Sequence, residues 1–381
     1  MAALGRDATL LVLEGGEMVA GRLGGAMAAT LPRRFRMATA SRRNFAAVDE
    51  RGRLYTQGVS HFGMLGLPPG GPDVHPLTRV DLGQRVAQVA MGMHHTIVLL
   101  ADGAVLTAGN GLHGRLGHGG ADEHVALLSR VQALSDVRVV YVAAGEQASA
   151  VVTLAGRVLA FGSNDFGELG VGDTDSRSLP RPTRACGASP TVMLAMSRHT
   201  VAVQADGSAY AWGDNSHEQL GLGDREPRLW PTRLEAGPVA SAACGTEHTL
   251  VLCTDGVVYM CGFRSGQRLA RVQGAPPAVS VAAGHWRSAA VAADGRLFTW
   301  DRYRPEPEHW PQAGRVGIFQ RTVLPARALA FAMLSHPRLG AACAWNALLI
   351  PDVVRHVLDA TLPPAAGALD GLARVLGGYS C

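Results

Sequence analysis

The sequence contains no lysine, and all 35 of its basic residues are arginine. This absence excludes the classes of enzyme whose chemistry needs a lysine amine: P-loop nucleotidases, pyridoxal-phosphate enzymes that form a Schiff base, and protein kinases. Long apolar runs are absent too, because none approaches the ~20 residues that a membrane-spanning helix needs. We therefore expect no contact with a membrane.

Catalytic and metal-binding motifs are also missing. No two of the six cysteines are spaced as C-x-x-C, so we expect free and mostly buried thiols. No G-x-S-x-G elbow, H-E-x-x-H helix or EF-hand loop occurs, so we expect no catalytic residue, no cofactor and no metal. The first residues, "MAALGRDATLLVLEGG", meet Asp7 and Glu14 too early for a secretory leader. These features predict a soluble intracellular protein, cytoplasmic or nuclear.

Glycine is plentiful, with 47 residues, and it marks an internal repeat. A glycine in an Asp-Gly-like turn recurs seven times, and successive copies lie 36, 51, 53, 51, 49 and 39 residues apart. We call these glycines the anchors: Gly16, Gly52, Gly103, Gly156, Gly207, Gly256 and Gly295.

Other residues recur at fixed distances from the anchor. Five copies have a glycine eleven residues before it, and five have one six residues after it. A Leu-Gly pair follows fourteen residues later in four copies: Leu65-Gly66, Leu116-Gly117, Leu169-Gly170 and Leu220-Gly221. Three copies place a histidine eight residues before the anchor: His95, His199 and His248. Other copies have Asn44, Ala148 or Arg287 there, so we interpret these histidines as core residues rather than metal ligands.

The repeat unit predicts a small antiparallel sheet. Short apolar stretches such as "TIVLLA" and "AVLTAG" are typical of strands, and the Asp-Gly between them of a two-residue hairpin. One such sheet cannot bury both faces alone, but radially stacked sheets can. The sequence therefore predicts an all-β fold, a seven-bladed β-propeller over residues 1–330.

Three stretches carry a resemblance to a known family: "VAMGMHHTIVLLADGAVLTAGNGLHGRLGHG", "HTVAVQADGSAYAWGDNSHEQLGLGD" and "AACGTEHTLVLCTDGVVYMCG". They resemble the repeats of the regulator of chromosome condensation family. The resemblance implies a propeller that binds protein partners. Members of that family exchange guanine nucleotide on the small GTPase Ran, dock on nucleosomes, form modules of ubiquitin ligases or act as an ultraviolet photoreceptor. The longest anchor spacing here, 53, leaves no room for the inserted hairpin of the exchange factor.

The segment "LPRRFRMATASRRN" concentrates arginines within eleven residues. Guanidinium groups suit phosphate or carboxylate partners, so this connector is a candidate site for an acidic partner, nucleic acid or chromatin. Only Phe35 interleaves it, which disfavours a stacking platform for single strands. The alternative is a solvated connector. The candidate residues are Arg33, Arg34, Arg36, Arg42 and Arg43.

Residues 331–381 lack the repeat and predict a short α-helical tail. "LLIPDVVRHVLDATL" places apolar residues on one helix face, and it resembles the opening of an F-box, which recruits a Skp1-like adaptor. The alternative is a helical cap on the propeller. The candidate contact residues are Ile350, Val353, Val354, Val357 and Leu358.

Seven repeat units without a catalytic constellation favour a non-enzymatic protein-interaction scaffold. Three alternatives stay open: a guanine-nucleotide exchange factor for a Ran-like GTPase, a ubiquitin-ligase substrate adaptor, and a chromatin- or DNA-binding protein.

Overall fold

The fold is an all-β propeller in a computed structural model of the chain. The structure describes residues 34–41, 43–120, 123–263, 268–303 and 306–309 with their side chains. Four strands near the N-terminus are described by their bounds and pairing alone: β1 (Ala2–Leu4), β2 (Thr9–Val12), β3 (Met18–Gly21) and β4 (Met27–Leu31). We call these four strands the N-terminal sheet.

Six blades follow, named A to F in chain order. Blade A comprises β5 (Phe35–Ala40), β6 (Phe45–Asp49), β7 (Leu54–Val59) and β8 (Val74–Val80). Blade B comprises β9 (Val86–Met91), β10 (His95–Leu100), β11 (Val105–Gly109) and β12 (Val125–Arg130). Blade C comprises β13 (Val139–Ala144), β14 (Ala148–Thr153), β15 (Val158–Gly162) and β16 (Arg177–Pro182).

Blade D comprises β17 (Thr191–Met196), β18 (His199–Gln204), β19 (Ala209–Gly213) and β20 (Arg228–Arg233). Blade E comprises β21 (Val239–Cys244), β22 (His248–Cys253), β23 (Val258–Gly262) and β24 (Ala270–Arg271). Blade F comprises β25 (Ala278–Ala283), β26 (Arg287–Ala292), β27 (Leu297–Asp301) and β28 (Glu308–His309). The described helices are single 3-10 turns at His61–Gly63, Leu112–Gly114 and Gln132–Leu134.

The blade count differs from the prediction. The sequence predicts seven, whereas six blades, A to F, are described with their side chains, so the count for this part of the chain is corrected to six. The N-terminal sheet corresponds to the copy that departs furthest from the repeat. Its closing Gly21 lies only five residues after Gly16, and no Leu-Gly pair stands fourteen residues after that anchor. The predicted helical tail lies outside the described residues.

Each blade is an antiparallel sheet whose strands pair in chain order. The first strands of neighbouring blades lie against one another, so they surround the centre of the propeller. The second strands are buried over almost their whole length, whereas the fourth strands form the exposed circumference. This gradient explains why the second strands read as continuous apolar runs, which are typical of strands covered on both faces.

The anchor glycines form the predicted hairpins between the second and third strands. In blades A to F their φ angles lie between 73° and 90°, a region that glycine adopts without steric cost. Four anchors also join neighbouring blades, because their carbonyl oxygen accepts a hydrogen bond from the next blade's first strand. The donors are the N–H groups of Val86, Thr191, Val239 and Ala278, at 2.8–3.1 Å.

The propeller therefore has two different faces. The hairpin face carries the anchor hairpins and the connections from one blade to the next. The loop face carries the connections between first and second strands and between third and fourth strands. No helix among the described residues has the length and apolar character that crossing a membrane requires.

Candidate interaction site

The repeated histidines lie inside the propeller and tie one blade to the next. His95, His199 and His248 are each 0% exposed. The Nε2 of each contacts a hydroxyl on the following blade: Ser149 at 2.9 Å, Thr249 at 2.7 Å and Ser288 at 3.0 Å. The interpretation of these residues as core histidines is confirmed.

The hydroxyl groups complete a short relay between blades. Ser149 Oγ donates to the carbonyl of Arg115 at 2.9 Å, and Thr249 Oγ1 to that of Gln219 at 2.6 Å. Each hydroxyl oxygen must therefore accept its second bond from the histidine Nε2–H. Desolvation lowers the pKa of His95 and His248 to about 3 and that of His199 to about 4, so the rings are neutral at pH 7.

Equivalent positions on the loop face carry different side chains. The residue nine positions before each anchor, one before the repeated-histidine position, belongs to the short loop between the first and second strands, which faces the centre of the propeller. The anchor is glycine in all six blades, whereas this position holds five residue types in six blades. We call this set the rim: Arg43, His94, Gln147, Arg198, Glu247 and Trp286.

A polar network links the loops that carry the rim residues in blades C to F. Thr246 Oγ1 donates to Glu146 at 2.9 Å and lies 2.7 Å from His285 Nδ1. Arg198 Nε lies 4.0 Å from the same carboxylate. These contacts link four loops, one from each of blades C to F.

Loops that follow the third strands of neighbouring blades support the rim from the outside. The Arg198 guanidinium lies 4.4 Å from the centroid of the Phe166 ring. Glu247 accepts from Arg302 at 2.9 Å and lies 3.8 Å from His217 Nε2. The rim is thus half-buried and braced, and it presents both signs of charge.

Aromatic groups lie at two places on this face. The rings of His285 and Trp286 are 4.4 Å apart, and the buried Trp286 Nε1 has no hydrogen-bond partner among the described residues. Phe62 is 44% exposed and contacts His124 with ring centroids 4.5 Å apart. Tryptophan and other large side chains that are partly exposed are typical of binding surfaces.

The family is shown by a match over most of the chain. Residues 2–275 match the model of the RCC1-like domain. The chain belongs to the RCC1-like domain family. This agrees with the repeat resemblance. The tail's likeness to an F-box stays a proposal.

Known proteins show the same RCC1-like domain in different settings. The chain is similar to the ultraviolet-B receptor UVR8 of Arabidopsis thaliana, with 31% identity over 265 residues, 65% of this chain and 58% of the receptor. It is also similar to the E3 ubiquitin-protein ligase HERC2 of Homo sapiens, with 32% identity over 272 residues, 66% of this chain and 6% of the ligase. The chain thus spans less than two thirds of either relative.

Two solved structures share the fold of this RCC1-like chain. Human WBSCR16 has a TM-score of 0.66 at 22% identity, covering 77% of this chain and 85% of that one. Prp20p from Saccharomyces cerevisiae has a TM-score of 0.64 at 19% identity, covering 74% and 80%. At these identities the likeness concerns the fold alone.

The arginine connector is not one patch in this RCC1-like propeller. Arg34 is exposed at the hairpin face, where β5 begins, whereas Arg43 is exposed on the loop face after β5 ends. Between them, Arg36 Nη2 donates to the carbonyl oxygens of Val86 and Ala87 in blade B. Arg33 and Arg42 lie outside the described residues. The structure therefore brings none of these three connector arginines together.

The histidines of the connection between β11 and β12 have structural partners, and the candidate tail residues lie outside the described residues. His118 Nε2 lies 3.0 Å from Thr107 Oγ1, and His124 Nδ1 accepts from the Gly111 N–H at 3.3 Å. No cluster of three potential metal ligands occurs among the residues that the structure describes. The candidate tail residues Ile350, Val353, Val354, Val357 and Leu358 all lie outside that part of the chain.

The rim was not predicted from the sequence. Its residues are scattered along the chain, and only the aligned copies show that they share a position. The signal lies one residue before the repeated histidine position, where the copies differ in residue type.

Proposed function

We propose that this protein is a non-enzymatic interaction scaffold whose protein partner binds the rim of the loop face. The observation that carries the proposal is the contrast between positions. The framework repeats the anchor glycine in all six blades and a buried histidine in three, whereas six equivalent positions on the loop face present Arg43, His94, Gln147, Arg198, Glu247 and Trp286. A framework needs no such variety, but recognition of one particular partner does.

The geometry of the rim supports binding. Arg198 and Glu247 are held by Phe166, Glu146 and Arg302 before any partner arrives. A preorganised side chain loses little conformational entropy when it binds, which leaves more of the contact energy for affinity. The rim's mixed charges also favour a protein partner over a uniformly charged polymer.

The direct experiment is affinity purification with the full chain and a rim variant, Arg198→Ala with Trp286→Ala. Arg268→Ala is the control, since Arg268 is 72% exposed and pairs with Glu235, which is not a rim residue. We expect the rim variant to lose partners that the control retains. An unchanged set of partners, or a robust enzymatic activity of the purified chain, would contradict the proposal.

Guanine-nucleotide exchange on a Ran-like GTPase is the second proposal. It is supported by the fold shared with Prp20p, whose binding to Gsp1p and histones was characterised together with its structure. Release of labelled GDP from a panel of small GTPases is the assay. No acceleration by the purified chain would remove this function.

Two further proposals concern the predicted tail and the arginine connector. A ubiquitin-ligase adaptor role would require a Skp1-like partner to co-purify with the full chain and to be lost on truncation near residue 335. Chromatin or DNA binding would require affinity that falls steeply with salt and weakens when Arg33, Arg34 and Arg36 are changed.

We also propose that the N-terminal sheet closes the ring between blades F and A. Its strand β1 lies next to β5 on one side and next to β25 and β26 on the other. Deletion of residues 1–31 should then lower the stability of both neighbouring blades. Hydrogen exchange that stayed unchanged in β5 and β25 after the deletion would refute this closure.

A further inference from the structure

The hairpin face carries a second feature, three arginines at equivalent positions in consecutive blades. Arg34, Arg85 and Arg138 each precede a first strand, and their carbonyl oxygens accept bonds from Glu50, Ala101 and Leu154 N–H groups at 3.3, 2.8 and 2.7 Å. In blades D and E the same bond is made to prolines, Pro190 and Pro238. The position therefore needs a backbone carbonyl, and the fold does not require its side chain to be arginine.

A fourth arginine replaces the turn aspartate of blade A. In blades B, D, E and F the aspartate before the anchor accepts the N–H group two residues later, at 2.9–3.0 Å. Blade A has Arg51 there, and Asp49 takes over the bond by accepting the N–H groups of Arg51 and Arg53 at 3.0 and 2.8 Å. The turn keeps its cap while its exposed side chain changes sign.

Arg34, Arg51 and Arg85 belong to neighbouring turns at the junction of blades A and B. Cβ and Nε of Arg85 lie 3.0 and 3.3 Å from the point where a Cβ would stand on Gly52, so this side chain covers the turn that carries Arg51. Arg34 is bonded through its backbone to Glu50 of the same turn. Arg138 takes the same position one blade further on. All four side chains are exposed, and we call them the arginine arc.

We propose that the arginine arc binds an acidic protein segment, one rich in aspartate and glutamate. Guanidinium forks match carboxylates, and other blades form the same turns and junctions without arginine. Glu50, Asp102 and Asp136 lie at the same ends of blades A and B, so the arc is a set of separate arginines and not a continuous basic groove along which a phosphate backbone could run. The large exposed aromatic side chains of the described region, Phe62, Trp230 and Tyr303, lie on the loop face or the circumference, so bases would find no stacking partner here.

The test measures fluorescence anisotropy of a labelled poly-glutamate peptide with the full chain. A glutamine peptide of equal length and a short duplex DNA are the comparison probes. The arc variants are Arg51→Asp, which restores the residue of four other blades and so preserves the fold, and Arg138→Gln. Arg268→Gln is the matched control, an exposed arginine before β24 of blade E whose guanidinium pairs with Glu235 at 3.2 Å.

We expect the glutamate peptide to bind more tightly than either comparison probe, and less tightly as salt increases. Arg138→Gln should weaken it by roughly tenfold, the factor that about 1.4 kcal/mol represents. Arg51→Asp should weaken it more, because it reverses a charge, whereas Arg268→Gln should leave it unchanged.

Three results would overturn the proposal: equal binding of the glutamate and glutamine peptides, wild-type affinity in Arg51→Asp, or preferential binding of duplex DNA. Because the arc and the rim occupy opposite faces, the Trp286→Ala variant separates the two proposals. It should retain the glutamate peptide even if it loses the partner of the rim.

Discussion

Replacing Glu168 with glutamine should stabilise the protein at neutral and alkaline pH. Glu168 is 4% exposed and sits just before Leu169 in the loop of blade C. Its carboxyl group accepts from Ser163 Oγ at 3.0 Å and from the Phe166 N–H at 2.9 Å. Burial raises its pKa from 4.5 to about 7 and outweighs those hydrogen bonds. Ionising the folded protein at this position is therefore costly.

The magnitude follows from the linkage between protonation and folding. Below pH 4.5 the carboxyl is protonated in both states, and the cost is absent. As the pH rises from 4.5 to 7, the unfolded chain releases its proton first, and stability is lost; above 7 the loss is constant. A difference from 4.5 to about 7 corresponds to about 3 kcal/mol.

Blade D supports the tolerance of glutamine at this position. Gln219 occupies it there and accepts the His217 N–H at 2.8 Å, as Glu168 accepts that of Phe166. The neutral amide thus keeps the backbone bond that orders the loop. The substitution removes the charge and replaces the oxygen that accepts from Ser163 Oγ by an amide NH2, which can donate to that hydroxyl.

The assay is urea unfolding at pH 5 and pH 8, followed by circular dichroism. Glu168→Gln should gain up to about 3 kcal/mol over the wild type at pH 8 and far less at pH 5. Glu226→Gln, an exposed residue in the corresponding loop of blade D, is the control and should show no such gain. A gain of equal size at both pH values, or a loss at pH 8, would refute the assignment.

Three further predictions concern the framework. His199→Asn, which copies Asn44 of blade A, should reduce the loss of stability between pH 6.5 and 4. In the wild type the buried neutral histidine makes the free energy of unfolding fall by about 1.4 kcal/mol for each pH unit of acidification in this range. Acid titration by circular dichroism measures this slope, and a slope unchanged in the variant would contradict a neutral ring. Gly162→Ala should destabilise by several kcal/mol, since its Cβ would stand 2.6 Å from Ala148 Cα; a melting temperature equal to wild type would contradict this contact. Cys261, whose pKa burial raises to about 12, should resist iodoacetamide in the native protein, as read by peptide mass spectrometry; rapid native labelling would show that the thiol is accessible.

The blades could be predicted because the repeat is encoded locally. An Asp-Gly turn, a closing glycine and a Leu-Gly pair each report a backbone requirement, and six of the seven anchors form the expected hairpins. Histidines such as His248 were interpretable for the same reason, because replacement of this residue type in other copies excluded a metal ring.

The arginine sites could not be predicted, because proximity along the chain differs from proximity in the propeller. Strand β5 carries the chain from one face to the other, a distance of about 20 Å for six residues. It therefore separates Arg34 from Arg43, which a sequence window joins. The same topology brings Arg34 beside Arg51 and Arg85, which the sequence keeps apart.

Two kinds of backbone bond between blades recur around the propeller, and blades C and E make both. On the hairpin face a blade offers its anchor carbonyl to its successor, as Gly52 does to Val86. On the loop face the roles are reversed, because a backbone N–H group of one blade donates to a carbonyl oxygen of the next, as Glu146 N–H does to Ser197. A duplicated or deleted unit would thus bring or remove matching donors and acceptors together. This architecture can change its number of blades in whole steps, with the curvature of the ring as the remaining constraint.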